Sequence, residues 1–267
     1  MNKIALFSVP RSGSTWLGQI FNSHPQVLYK FQPNFAYSFD YSLEPNSTKE
    51  EILEFYKELI QTKDPFVNAE ITISSKQGLH FDKKDLSSLV FKETHYINVI
   101  ENLIKNSTTK VVGLVRSPFS VINSWLKLPK EFKPEWSVKE EWLEAPSKNE
   151  NKPYCFFGYN KWKETTQLFL RLEKEYPAQF YLMSYDALVQ NTESEVRMAF
   201  DFCGLSFSEQ TIEFLNQSVK KNDADPYSVF KQKVDDRGWE GTLPNFIIKE
   251  IKEDLEFKKL NNHFKWI

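Results

Sequence analysis

A chain of 267 residues that is 40% hydrophobic is long enough to bury the core of one large α/β domain, and a single domain over residues 1–267 is expected. Its formal net charge of −2 argues against a nucleic-acid partner, because binding a phosphate backbone needs a basic face. Its two cysteines, Cys155 and Cys203, match no metal-ligand spacing and read as reduced thiols. No apolar run reaches membrane-spanning length and no signal-peptide pattern opens the chain, so a cytoplasmic protein without a transmembrane segment is expected.

Residues 4–7 form the first apolar run, and Leu17, Ile20 and Phe21 follow with helical spacing. Between them, Ser8-Val9-Pro10-Arg11-Ser12-Gly13-Ser14-Thr15-Trp16 is a small-residue turn from a strand into a helix N-terminus. Such a turn gathers backbone N–H groups, the hydroxyls of Ser12, Ser14 and Thr15 and the Arg11 guanidinium at one point, which makes an anion site. The pattern GxxxxGK[ST] is not met, since the first glycine and the lysine are missing, and an ordinary ATPase or GTPase is disfavoured.

Residues 26–31 read as a short strand and residues 48–60 as an amphipathic helix with Thr48 as N-cap. Phe35, Tyr37, Phe39 and Tyr41 alternate with polar residues and form either the lining of an acceptor groove or one face of a strand. Residues 88–92 and 111–115 are apolar enough for buried strands. Each is followed by a helical pattern, the rhythm of a parallel sheet. The rhythm breaks at residues 129–156, with their prolines, Trp136, Trp142 and many charges; they are expected to form a surface excursion, or lid, over the carboxyl edge of the sheet. Beyond it come a helix at 159–175, a strand at 180–183, a helix at 193–203, and one closing helix at 244–257.

Arg116 ends the strand 111–115, and Pro118 suits the first turn of the helix that holds Ser124. In a parallel sheet that edge also carries the first loop, so the two features converge.

The run Pro10-Arg11-Ser12-Gly13-Ser14-Thr15-Trp16-Leu17 resembles the 5′-phosphosulfate loop of sulfotransferases that use 3′-phosphoadenosine 5′-phosphosulfate (PAPS), particularly the bacterial and carbohydrate branches. Arg116 followed by Ser124 is similar to the 3′-phosphate site of that family. Tyr185, in Tyr-Asp-Ala-Leu, resembles the tyrosine that approaches the adenine. Phe202-Cys203-Gly204-Leu205 resembles a helix junction of the family, and Arg237-Gly238-Trp239-Glu240-Gly241 its late Gly-x-x-Gly loop over the 3′-phosphate, with Arg237 in place of lysine. The resemblance implies a P-loop NTPase-like, three-layer α/β/α fold around a central parallel sheet. It implies PAPS as co-substrate without a metal, bound by Arg11, Ser12, Gly13, Ser14, Thr15, Trp16, Arg116, Ser124, Tyr185, Arg237 and Gly238, and a carbohydrate or small-molecule acceptor sulfated on a hydroxyl or amine.

The general base is the open point. Where carbohydrate sulfotransferases carry a glutamate before a proline, this chain has Gln32-Pro33, and a neutral amide takes no proton. Phe91-Lys92-Glu93-Thr94-His95 resembles the Lys-Thr-His of the aryl and alcohol branch with one residue inserted. In a regular strand Lys92 shares a face with Thr94 and Glu93 with His95, whereas a strand ending near Glu93 lets Lys92 and His95 meet. The expected base is His95, then Glu93, with Lys92 and Arg11 on the transferring group. Two other readings stay open: a nucleotide-binding module that has lost turnover, and a kinase, which lacks its phosphate-loop lysine.

Overall fold

The structure, a computed structural model, describes residues 1–36, 43–71, 78–220 and 235–267. Five strands, β1 (Asn2–Phe7), β2 (Val27–Phe31), β3 (Ser88–Glu93), β4 (Lys110–Val115) and β5 (Phe180–Ser184), form one sheet in the order β2-β3-β1-β4-β5. Every neighbouring pair is parallel, with Phe7 opposite Glu93 on one side and Gly113 on the other. The strands are apolar runs because both faces are covered. In β1, Ala5 and Phe7 enter one core while Ile4 and Leu6 enter the other.

The first core packs the sheet against α2 (Lys49–Gln61), α3 (Ile100–Asn106), α4 (Pro118–Leu126) and α7 (Tyr159–Glu175), through Phe55, Ile100, Phe119 and Phe169 among others. The second packs it against α1 (Ser14–Asn22), α8 (Tyr185–Gln190), α9 (Thr192–Cys203) and α10 (Glu209–Lys220), through Ile20, Leu188, Phe200 and Phe214. The result is a three-layer α/β/α fold. Thr48 caps α2 in a reciprocal capping box with Glu51, which fixes where that helix starts. Both cysteines are buried and free. Among the described residues no helix is long and apolar enough to cross a membrane.

One segment differs from the sequence reading. The C-terminal segment is two helices, α11 (Asn245–Glu253) and α12 (Leu255–Phe264), not one. Asp254 between them has extended backbone, and its carboxylate accepts the N–H groups of Glu256 and Phe257, so one residue stops the first helix and caps the second. Residues 129–156 contain α5 (Val138–Glu144) and the single turn α6 (Pro146–Asn149). Their Phe132, Trp142, Phe156 and Phe157 are buried in the first core.

Candidate active site

Because all strands run the same way, the loops after β1, β2, β3 and β4 emerge at one edge. The loop after β1 turns sharply: Arg11 and Gly13 both take left-handed backbone, at φ 71° and 93°. Glycine alone adopts such a φ without penalty, and here a side chain is also excluded by the ring of Tyr185, which follows β5. The turn opens α1: the N–H groups of Trp16 and Leu17 donate to the Gly13 carbonyl, and those of Ser14 and Thr15 precede the first bond of the helix. Behind them Ser12 Oγ is buried without a hydrogen-bond partner. A buried orphan hydroxyl beneath a helix N-terminus suits an anion with several oxygens.

Arg11 crosses to the neighbouring elements, where its Nε donates to Ser124 Oγ at 3.2 Å and its Nη1 to Glu131 Oε1 at 3.5 Å. Arg116, at the end of β4, donates from Nη1 to the carbonyl of Arg11 at 2.9 Å and stacks its guanidinium 4.5 Å from the Tyr185 ring centre. Its remaining edge meets Asp236. Trp16 donates from Nε1 to Ser218 Oγ at 3.1 Å and meets Tyr185 edge-on. Gly238 presents its carbonyl to Asn123. Arg237 is exposed, and its backbone N–H donates to Asp235.

In front of this loop lies a cleft of about 810 Å³, walled by Arg11, Thr15, Lys92, His95, Glu131 and Phe157, with further aromatic residues at its mouth. β3 ends at Glu93. The chain turns there, and Lys92, Thr94 and His95 all line the same cleft. Lys92 is buried with its ammonium 4.4 Å from the Phe31 ring centre. Burial brings its pKa down to about 8, against the opposing pull of Glu93. His95 stacks on Phe35 at 4.8 Å between ring centres. Burial, then the charges of Lys92 and Lys148, push its pKa down to about 4, so it is a neutral imidazole at physiological pH.

Glu93 stands apart from these. It is fully buried, and its Oε1 accepts the N–H of Asn34 at 2.8 Å while Oε2 has no partner. Burial raises its pKa to about 8, and it is not part of the cleft wall. Gln32, in left-handed backbone after β2, donates to Thr94 Oγ1 at 2.6 Å. Phe35 forms part of the cleft wall; Tyr37, Phe39 and Tyr41 lie outside the described residues.

Two carboxylates at this edge were not singled out from the sequence, Glu131, paired with Arg11, and Asp236, paired with Arg116. Asp236 could have been flagged, because it stands directly before Arg237 in a loop expected to lie over a phosphate. Glu131 gives no such signal; it lies among unrelated charges and meets Arg11 only through the fold.

The sequence matches the Sulfotransferase domain family over residues 1–262. The chain belongs to that family. Among solved structures, this sulfotransferase resembles the sulfotransferase domain from the curacin biosynthetic pathway, with a TM-score of 0.53 and 16% identity, covering 100% of this chain and 98% of that one. Mouse sulfotransferase SULT7A1, solved with PAP, gives a TM-score of 0.55 at 11% identity over 98% of this chain and 88% of its own. A retinol dehydratase solved with retinol and PAP gives 0.54 at 13% identity, over 97% and 81%. At these identities the likeness is one of fold. No curated protein matches the sequence significantly.

Proposed function

We propose that this sulfotransferase moves the sulfuryl group of PAPS to a hydroxyl or amine of a carbohydrate or small-molecule acceptor, in line and without a metal, in the cytoplasm. The observation that carries the reading is the meeting of Arg11, Lys92 and His95 on one cleft, directly in front of the loop with the orphaned Ser12 hydroxyl. PAP, the desulfated form of PAPS, accompanies two of the structurally similar proteins, which supports the choice of donor.

PAPS supplies an activated sulfuryl group. The acceptor oxygen forms a bond to sulfur as the bond from sulfur to the bridging phosphate oxygen breaks, releasing PAP. Arg11 and the amides of Ser14 and Thr15 hold the oxygens of the donor; Ser12, Gly13 and Trp16 shape that loop. Lys92 faces the bridging oxygen, where an ammonium with a pKa near 8 is both charged and able to give up a proton. His95 takes the acceptor's proton, and its neutral form is the one that can do so. Arg116, Ser124, Arg237 and Gly238 serve the 3′-phosphate, and Tyr185 the adenine. Most of the rate comes from positioning and fixed donors.

The aromatic wall, with Phe35, Tyr96, Tyr154 and Phe157, favours an acceptor with a ring that packs on aromatic faces, a sugar or an aryl alcohol. Residues 129–156 supply one side of that wall within a single domain, and act as its lid. Transfer of labelled sulfur from PAPS to a panel of phenols, alcohols and sugars in the presence of a chelator tests the reading. Product in the chelator establishes it. Tight binding of PAP without transfer to any acceptor establishes instead the nucleotide-binding module, a reading that Gln32 in place of a carboxylate favours.

A further inference from the structure

The guanidinium of Arg116 already holds an anion. Asp236 Oδ1 accepts from Nε at 3.0 Å and from Nη2 at 2.5 Å, and Oδ2 accepts from Nε at 3.0 Å. The pair is largely buried, with side-chain exposures of 19% for Arg116 and 6% for Asp236. The carboxylate is delivered there by its backbone: Ser120 Oγ donates to the Asp236 carbonyl at 2.8 Å, and Asn123 Nδ2 to the Gly238 carbonyl at 3.2 Å. Both tethers come from α4, the helix that begins two residues after Arg116. The loop is thus pinned to the element that positions the arginine, which makes the pairing a feature of the fold rather than of one mobile side chain.

A carboxylate and a phosphate offer a guanidinium the same acceptor, two oxygens spaced for a forked pair of N–H donors. We propose that Asp236 is an internal competitor for the second phosphate of the nucleotide at Arg116, and that it sets how strongly this protein distinguishes nucleotides with a 3′-phosphate from those without one. The inference rests on the assignment of Arg116 to the 3′-phosphate under Proposed function.

An incoming phosphate either displaces the carboxylate or binds beside it. Displacement removes a buried, charge-assisted pair, and binding alongside places two anions on one cation. Either route subtracts from the affinity for the 3′-phosphate and leaves the rest of the nucleotide untouched. Asp186, a second carboxylate felt by Arg116, adds to the negative field but does not bond to it. Among the described residues, Asp236 alone fills the fork.

The test is calorimetric titration of wild type, Asp236→Asn, Asp236→Glu and Arg116→Ala with PAP and with adenosine 5′-monophosphate. Asp236→Asn keeps the shape and removes the charge; it is expected to tighten PAP by about tenfold or more, the scale of one charged hydrogen bond, while the monophosphate changes by less than about twofold. Asp236→Glu keeps the charge and is expected to hold the ratio of the two affinities near that of wild type. An unchanged or smaller ratio in Asp236→Asn overturns the proposal, and means that the carboxylate orients Arg116 for phosphate instead of competing with it. If Arg116→Ala leaves the ratio of wild type intact, the assignment of Arg116 falls first, and the proposal with it. Should Asp236→Asn fail to fold, Ser120→Ala releases the backbone tether and is expected to raise the ratio in the same direction; no rise overturns the proposal.

Discussion

Tyr185 lies across Gly13 so closely that a Cβ on that glycine would stand 2.4 Å from Tyr185 Cε2. One contact therefore joins the loop after β1 to the tyrosine after β5, across β4.

Gly13→Ala is expected to destabilise the protein by about 2–5 kcal/mol. Left-handed backbone accounts for about 1–2 kcal/mol and overpacking against the ring for about 1–3 kcal/mol. Denaturant unfolding measures the total. Tyr185→Leu in the Gly13→Ala background is expected to recover the packing part and leave the backbone part, so a complete recovery would show that φ 93° is not a constraint.

Under the proposed function, the pH profile reports His95 as the base. With His95 depressed to about 4 by burial first and then by Lys92 and Lys148, kcat/KM is expected to hold from neutral pH down to about 5 and to fall below it as the imidazole gains its proton. Lys148→Met removes a positive neighbour, which raises the histidine pKa and moves the acid limb to higher pH. His95→Asn is expected to lower kcat about 10²–10⁴-fold. An acid limb that ignores Lys148 points away from His95 as the titrating group.

How much of this was legible in the sequence follows from the range of each interaction. β1, β3 and β4 were visible because a strand buried on both faces needs an unbroken apolar run, and Pro10 to Leu17 because a strand-to-helix turn with hydroxyls and glycine is a local pattern. Residues 129–156 looked like a charged loop, since Phe132, Trp142 and Phe157 are buried by elements far away in sequence rather than by a periodicity of their own. The position of His95 relative to Lys92 turned on where β3 ends, a matter of one residue that pairing with β1 and β2 decides. Arg11 with Glu131 and Arg116 with Asp236 are each separated by 120 residues, and no local signal reports such a pair.

Asp254 gives a stability prediction independent of catalysis. Its carboxylate caps α12 and also accepts from Lys163 Nζ at 2.6 Å and Tyr159 OH at 3.0 Å. Burial pushes its pKa up, but the ammonium and the N–H and O–H donors outweigh burial, and the net shift is downward. A depressed pKa contributes stability above the unfolded value near 3.8, which is lost as pH falls through the folded value. Asp254→Ala is therefore expected to cost about 1–3 kcal/mol at neutral pH, and the gap from wild type to shrink below about pH 4. A gap independent of pH in urea unfolding would assign the loss to packing, not to the charged cap.

Under the proposed function, Lys92 separates transition-state stabilisation from binding. The ammonium is buried beside Phe31 and lines the cleft, and under the proposed function it compensates the charge that develops on the bridging oxygen as the bond to sulfur breaks. A donor aimed at developing charge contributes about 2.7–4 kcal/mol to the barrier, so Lys92→Met is expected to lower kcat about 10²–10³-fold, with PAP affinity changing by less than about threefold. The wild-type rate should also decline above pH 8, because burial lowers the Lys92 pKa to about 8 and the neutral amine neither carries charge nor has an acidic proton to give. In Lys92→Met that basic limb should be absent. If PAP affinity falls as far as kcat does, Lys92 acts in the ground state, and the bridging oxygen takes its charge compensation from Arg11.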